Sequence, residues 1–596
     1  MEKQDLIKNN IMQWVKKNLG ANFVFRTHQL ETIINIVSNI LNSDETNQII
    51  EAPTGSGKSV IILVSAGVLS EYYHRRSYIL CSDLSLWKQY YDFIKKYKLD
   101  FGYLKGQLNN YYCRANNNSI RSGDCRINGK SWSYLMSKQN SDFECAKGCP
   151  YIKDRKRACI SSSTLLTYQC FMYTLMHQDY EDNDSKNLFN LTPRDIIFCD
   201  ECHHMSDVVM TQFTPHIYAS DIDLADKVYT DLSEEGVTLP QTPVEFQSIL
   251  LDLYEKLKDG KLTSKENLDL INKFYTQYHI LWNAVKERQE YYVDIYKKLS
   301  DNEKVRVSKL YRTFETIIVY GDQFRDLLRY LESEKFLIKE LNGTQLTFYN
   351  LKQDFLVYKC LLSKAAHRVM LSATVGDVEV FKDSIGIKYL DKTDVYFDRI
   401  PSIFDFSKSP ITIYTQYKLN YYNKQIVYPK IKQLTYELCE KFPNQRGLIQ
   451  TTSYADALDI YKSAPEKLKH RLSIYSNSSE KDDVLEKHKS KKDNILLGPT
   501  LNEGLDLPDD LCRFIIVTKI PYPQLNNEFT RKKLELFSGW YENATSLKLI
   551  QTIGRGVRNE NDYCETFILD SNFFDIFEKT SSQYSEELVN RFLIET

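Results

Sequence analysis

The chain has 596 residues, 42% hydrophobic and 26% charged, with 77 basic against 79 acidic side chains and a formal charge of −2. That length implies several separate cores, roughly three or four domains, and the balanced charge excludes a global basic field, so any nucleic-acid contact must rest on local patches. Met1 to Leu19 lacks the apolar core of a secretory signal, and no apolar run approaches the roughly 20 residues that span a bilayer, so the expected setting is intracellular (cytoplasmic, nucleoid-associated or nuclear), without membrane contact, and the thirteen cysteines read as thiols or metal ligands rather than disulfides.

Taken in chain order, Gln48 to Ala52 reads as a short strand, followed by a glycine-bearing turn and a helix from about Lys58. This strand, loop and helix context is what a phosphate loop requires. In Ala52-Pro53-Thr54-Gly55-Ser56-Gly57-Lys58-Ser59 the glycines let backbone N–H groups curl around phosphate oxygens, and the helix presents its positive end to the same anion. Lys58 would reach the outer phosphates and the Ser59 hydroxyl would bind magnesium. Ala52 stands where the general pattern has glycine.

Apolar runs at Tyr78 to Cys81, Asp195 to Asp200 and Arg368 to Ser372, with helical stretches between, predict a parallel sheet covered on both faces. Two insertions interrupt it. The first, about 103 to 160, holds Cys113, Cys125, Cys145 and Cys149, separated by eleven, nineteen and three residues. That spacing matches neither a zinc ribbon nor a bacterial ferredoxin run, so zinc, an iron–sulfur cluster and plain thiols all stay open on spacing alone, with Cys159 a substitute ligand or a core residue. Lys147, Lys153, Arg155, Lys156 and Arg157 form a basic collar, either steering phosphate or simply solvated; Tyr111 and Tyr112 are either a stacking platform or a small aromatic core.

Asp200 and Glu201 end an apolar strand, which would project both carboxylates at the carboxyl edge of the sheet beside the phosphate loop. There Asp200 can hold magnesium while Glu201 orients and deprotonates the attacking water. The His203-His204 pair carries a weaker metal-binding alternative. The second insertion, about 205 to 362, contains long amphipathic stretches at Ser264 to Leu299 and Glu303 to Lys335 and a hairpin turn at Asn342-Gly343. After about 390 the alternation restarts, with strands at Gly447 to Gln450, Ile495 to Leu497, Arg513 to Thr518 and Thr566 to Leu569. Gln551 to Arg558 is predicted to lie on the carboxyl half of a helix around Ala544 to Ile553, putting Arg555 and Arg558 on one face from which they could enter the phosphate site across a cleft.

Arg26-Thr27-His28-Gln29, the phosphate loop, Asp200-Glu201-Cys202-His203, Ser372-Ala373-Thr374, Glu503-Gly504-Leu505-Asp506-Leu507-Pro508 and Gln551 to Arg558 occur in the order used by superfamily 2 helicases. Leu104-Lys105-Gly106-Gln107 running into Tyr111-Tyr112-Cys113, and Cys149-Pro150-Tyr151 closing the quartet, resemble specifically the XPD/DinG family of iron-sulfur helicases. Cys202 replaces the alanine of the commonest tetrad.

The resemblance implies two RecA-like doubly wound parallel-sheet domains of an α/β protein, the first carrying a cluster domain and a helical arch. Its expected segments are 1–102, 161–204 and 363–389 for the first motor domain, 103–160 for the cluster, 205–362 for the arch and 390–596 for the second motor domain. It implies ATP-dependent, magnesium-dependent 5′ to 3′ translocation on single-stranded DNA, unwinding of forked or tailed duplexes by a monomer, and a place in DNA repair. Arg26 and Gln29 would contact adenine; Thr54, Gly55, Ser56, Gly57, Lys58, Ser59, Gly504 and Asp506 would line the nucleotide. Thr374 would couple nucleotide state to strand grip, Glu503 would touch nucleotide and strand, and Gln551, Arg555 and Arg558 would join Lys58, Asp200 and Glu201 in catalysis. Cys113, Cys125, Cys145 and Cys149 would hold a structural 4Fe-4S cluster, and Ser59 with Asp200 the magnesium. Two rivals remain at this stage: an ATP-driven translocase or RNA and hybrid remodeller that never separates DNA duplexes, and a non-catalytic nucleic-acid-binding protein.

Overall fold

The computed structural model describes residues 2–53, 55–106, 110–113, 148–177, 191–258, 264–295, 298–329, 337–342, 345–404, 406–477, 480–501, 507–559 and 562–596. The first strand, β1 (Thr46–Glu51), is buried along nearly its whole length, and β2 (Ser77–Cys81) entirely so, the pattern of strands covered on both faces rather than alternating in and out. With β3 (Gly102–Tyr103), β4 (Ser163–Thr167) and β5 (Ile196–Asp200) they enter one sheet. The chain then leaves it through β6 (His216–Tyr218), β7 (Leu337–Asn342) and β8 (Gln345–Asn350), and returns with β9 (His367–Ser372) and β10 (Val395–Arg399).

The resulting order is β10-β1-β9-β5-β2-β4-β3, every pairing parallel. The register of β1 against β9 (Glu51 beside Ser372) and of β5 against β9 (Asp200 beside Leu371) brings the carboxyl ends of β1, β5 and β9 to one edge. In open parallel sheets this edge is where ligands bind.

The helix Lys58–Tyr73 is buried from Ile61 to Leu69. Its lack of a polar face follows from its place between the sheet and the amino-terminal helices, whose Ile7, Ile11, Trp14, Ile33, Ile36 and Val37 share its core. Each such aliphatic side chain contributes about 1.5–3 kcal/mol when fully withdrawn from water. The opposite face of the sheet is packed by a second core that takes in Tyr111, Cys113, Cys149, Tyr151 and Cys159.

Between β6 and β7 the helices Ala219–Glu234, Pro243–Lys258, Ser264–Ile295 and Asp301–Arg329 surround their own core, and β6, β8 and β7 form a three-stranded antiparallel sheet beside it. β7 and β8 pair antiparallel with Asn342 opposite Gln345; Gly343 of the expected turn lies outside the described residues.

The second sheet contains β11 (Ile411–Tyr414), β12 (Gly447–Gln450), β13 (Leu472–Ile474), β14 (Ile495–Gly498), β15 (Phe514–Val517), β16 (Glu565–Ile568) and β17 (Phe592–Glu595), in the order β13-β14-β12-β15-β16-β11-β17, again all parallel. The second α/β unit is expected from 390, yet β10 pairs along β1. The first sheet therefore runs to Arg399 and the chain crosses between sheets in 400–410. No described helix is long and apolar enough to cross a membrane.

Candidate active site between the two sheets

The loop after β1 needs two backbone conformations that side chains disfavour. Gly55 and Gly57 have φ of 85° and 76°, in the left-handed region that only glycine enters freely. A Cβ at Gly57 would strike the Gln29 amide, and one at Gly55 would strike the ring of Phe404. Gln29 is buried and its Nε2 donates to the Ser56 carbonyl at 2.8 Å, while Arg26 donates to the Gly55 carbonyl. Both upstream residues thus grip the loop through its backbone. Thr54 lies outside the described residues.

Lys58 opens the following helix and its Nζ stands 3.1 Å from Glu201 Oε1. Glu201 follows β5 with φ of 49°; a non-glycine residue held there costs of order 1–3 kcal/mol, a strain that clusters at functional sites. Its neighbour Asp200 is buried and accepts from Tyr90 Oη at 2.7 Å on one carboxylate oxygen and from the Glu201 N–H at 2.9 Å on the other. Tyr168 donates to the Asp200 carbonyl at 3.0 Å.

These carboxylates titrate apart. Burial, then the charge of Glu201, push Asp200 upward, with Lys58 opposing. Burial works against Glu201 too, but Lys58 and the nearby histidines outweigh it and hold its carboxyl well below the usual range. Burial likewise opposes the Lys58 charge, and Glu201 with Asp200 overcome it and raise its pKa. The donor set at Ser59 and Asp200, a hydroxyl and a carboxylate, is the hard-oxygen chemistry that magnesium takes.

His203 spans the gap to the other sheet. Its Nδ1 lies 2.6 Å from Ser372 Oγ and 3.4 Å from Glu201 Oε2, and its Nε2 lies 3.0 Å from Gln551 Nε2. Burial, then His204, lower its pKa to about 3, so the ring is neutral. An amide N–H donating into Nε2 requires the ring proton on Nδ1, which makes Ser372 the acceptor. Gln551 belongs to the helix Trp540–Ile553 of the second unit; one imidazole therefore links the ends of β5 and β9 to the opposite lobe.

The sequence pattern predicts Arg555 and Arg558 on that helix; the structure places them beyond its end. The helix stops at Ile553 with Gly554 as its cap, and both arginines occupy the turn beyond. They nonetheless line, with Glu201 and His203, a cleft of about 790 Å³ between the units. Arg558 is near enough to depress the Lys58 pKa, and Arg555 that of His203. The Arg558 backbone N–H donates to Asp562 Oδ2 at 3.0 Å, and Asp562 Oδ1 pairs with Arg513 at 2.8 Å, which anchors the turn.

Thr374 is buried; its carbonyl accepts from Ser372 Oγ at 2.8 Å. Two residues beside it were missed from sequence. Arg399 Nε pairs with Glu51 Oε1 at 2.8 Å, Glu51 Oε2 accepts from the Val375 N–H at 3.1 Å, and Arg399 Nη1 donates to the Ser582 carbonyl at 3.2 Å in the second unit. Asn543 Oδ1 accepts from the Asp377 N–H at 2.8 Å across the same gap. The available signal was an acidic residue, Glu51, closing a buried strand directly after Ile49 and Ile50.

Of the cysteine quartet, Cys125 and Cys145 lie outside the described residues, as do Lys147, Glu503, Gly504 and Asp506. Cys113 and Cys149 are both buried in one core, and Tyr111 packs edge-on against Tyr151 at 5.2 Å, so the two flanks of 114–147 converge. Two buried thiols on converging flanks are a donor set that suits a thiolate-bound cluster. Tyr111 is core rather than platform: it is buried and donates to Asp154 at 2.9 Å, whereas Tyr112 is exposed. The basic collar is also broken, since Arg155 turns inward and donates to Tyr151 Oη at 2.8 Å, and Arg157 donates to the Phe101 carbonyl at 2.9 Å. Cys81, Cys159, Cys199 and Cys360 are buried packing residues. Among the described residues no three metal-ligating side chains gather at one point.

Comparison with known proteins points the same way. A family model described as the helicase C-terminal domain matches residues 435–591, and one described as the type III restriction enzyme res subunit matches 22–220. The ATP-dependent DNA helicase CHL1 of Vanderwaltozyma polyspora is 21% identical over 476 residues, covering 71% of this chain and 56% of CHL1. The ATP-dependent DNA helicase DinG of Photobacterium profundum is 28% identical over 234 residues, covering 35% of this chain and 32% of DinG. The chain thus spans between a third and somewhat over half of these two relatives. The structure of S. tokodaii Xpd4 superposes with a TM-score of 0.60 at 16% identity, covering 96% of this chain and all of that one, a likeness of fold.

Proposed function

We propose that the chain is an XPD/DinG-type superfamily 2 helicase, an ATP-dependent DNA helicase that hydrolyses Mg-ATP between its two RecA-like sheets and moves 5′ to 3′ along single-stranded DNA. The observation that carries this reading is the contact chain from Lys58 through Glu201 and His203 to Gln551, which joins a phosphate loop on one sheet to an arginine-bearing turn on the other.

In this reading Arg26 and Gln29 address adenine, and the backbone of Thr54 to Gly57 wraps the phosphates. Lys58 leaves Glu201 for the outer phosphates when ATP arrives. That transfer removes the main charge holding the Glu201 carboxyl down, so its basicity rises as substrate binds and it can take a proton from the attacking water. Ser59 and Asp200 would hold magnesium, which when bound compensates charge on the phosphate oxygens. Arg555 and Arg558 stabilise the charge that develops on the transferred phosphoryl group, an effect worth on the order of 10³ to 10⁵ in rate in other phosphoryl-transfer enzymes. His203, Gln551 and Thr374 report lobe position to the site, and Glu503, Gly504 and Asp506 contribute from the second unit. Residues 205–362 act as an arch over the strand and 103–160 as a cluster domain. There Cys113, Cys125, Cys145 and Cys149 would hold a 4Fe-4S cluster, which supplies folding energy to a segment too small for its own core.

Phosphate release measured with and without single-stranded DNA tests the core of the proposal. Wild type is expected to be stimulated by DNA and Lys58→Ala to be silent with an unchanged far-UV spectrum; an unstimulated wild type refutes the motor reading. Strand separation on duplexes with 5′ or 3′ tails tests polarity, and an anaerobic visible spectrum with iron and sulfide analysis tests the cluster.

A further inference from the structure

The floor of the phosphate site contains a hydroxyl that none of these roles uses. Tyr90, on the helix Leu84–Lys96 after β2, is fully buried, its ring set in the apolar core beneath the sheet. A phenol in such a place needs a partner for its O–H, and Tyr90 has one: it donates to Asp200 Oδ2 at 2.7 Å. Burial and the Asp200 charge keep it protonated far above neutral pH.

The geometry has a chemical consequence. Asp200 has one carboxylate oxygen fixed by Tyr90 and the other by the Glu201 N–H, so the carboxylate plane cannot turn without breaking a bond. Resting on the reading of Ser59 and Asp200 as the magnesium pair, we infer that Tyr90 is a positioning residue that presets the Asp200 carboxylate for the cation through a single buried phenol. It does not touch the cation itself.

Tyr90→Phe deletes the hydroxyl and keeps the ring. Partners of this kind are worth about 10- to 100-fold in metal affinity. Electron paramagnetic resonance of Mn²⁺ titrated into full-length protein with a non-hydrolysable ATP analogue is expected to show Mn²⁺ binding weakened by about that factor. Nucleotide affinity measured in chelator should stay within about twofold, and the magnesium concentration for half-maximal hydrolysis should rise by the same factor as the Mn²⁺ constant, with kcat largely recovered at high magnesium. A lowered melting temperature with an unshifted Mn²⁺ titration would reduce Tyr90 to packing and overturn the inference. If wild type itself binds no Mn²⁺ with the nucleotide, the magnesium assignment of Ser59 and Asp200 fails first and takes this inference with it; wild-type binding with an unchanged Tyr90→Phe sinks the inference alone.

Discussion

Replacing Gln551 with leucine removes the amide that bonds His203 from across the cleft while keeping the side chain's bulk. His203 is 11% exposed at its side chain, so its Nε2 would become a largely buried acceptor without a donor, a loss of about 1–3 kcal/mol. At 1.4 kcal/mol per factor of ten, that is roughly a 5- to 150-fold penalty on the lobe arrangement in which the bond exists. The ring could recover by moving its proton to Nε2, but Ser372 Oγ at 2.6 Å and Glu201 Oε2 at 3.4 Å would then face an unprotonated Nδ1. The deficit is relocated, not removed. The nucleotide contacts proposed for Lys58, Ser59 and Gln29 lie on the first unit and are untouched. DNA-stimulated turnover of Gln551→Leu should therefore fall about 5- to 150-fold while the affinity of a fluorescent ATP analogue stays within about twofold. A double-mutant cycle with His203→Phe isolates the pair; strict additivity, within about 0.5 kcal/mol, would refute the idea that this bond couples the lobes.

Two further outcomes follow from buried titratable groups away from the cleft. His488 is enclosed, its Nε2 donating to the Leu511 carbonyl at 2.8 Å and its Nδ1 accepting from Asn494 at 3.1 Å, and burial lowers its pKa to about 4. Its folded pKa lies below that of the unfolded chain, so its contribution is complete above pH 6.5 and disappears as pH falls toward 4, a loss of about 3 kcal/mol; thermal melts of His488→Gln between pH 7 and 4.5 should show a shallower acid slope than wild type, and parallel slopes would contradict it. Lys533 is buried beside Trp540 at 4.3 Å, and burial lowers its pKa to about 8. At neutral pH it is charged in both states and carries a desolvation cost, so Lys533→Met should raise stability by up to about 3 kcal/mol less the cation–π contact, read as a higher Tm, with the gain shrinking as pH rises from 8 to 10.5; a gain independent of pH would show that charge is not its source.

The elements that sequence predicts best are those whose function demands local grammar. Gly55 and Gly57 had to be adjacent to a strand end and a helix start, and Asp200-Glu201 had to terminate an apolar run, so both were legible from a dozen residues each. The helix end before Arg555 was legible too, because Gly554 is a common stop signal, but the three-residue spacing of the arginines suggested a helical face instead. What could not be read was long-range. Glu51 and Arg399 meet only because β10 pairs with the distant β1, and Ser582 joins them from the second unit; no position of β10 is fully buried, so no apolar period betrays an edge strand. Tyr90 carries no sequence signal of its own, since nothing in its neighbours foretells that Asp200 will arrive above it.

The ring of Phe404 rests against Gly55, and among the described strands the chain passes from one sheet to the other between Arg399 and Ile411. Each half of the molecule is thus a continuous stretch of chain, and the tether between them leans on the crest of the phosphate loop. Bulk added at position 55 would be felt as a pull on that tether before it was felt by any neighbouring strand. Cutting the chain within 400–410 and co-expressing the two pieces would show how much of the grip between halves is carried by side chains such as Gln551 and Arg399, and how much by the leash.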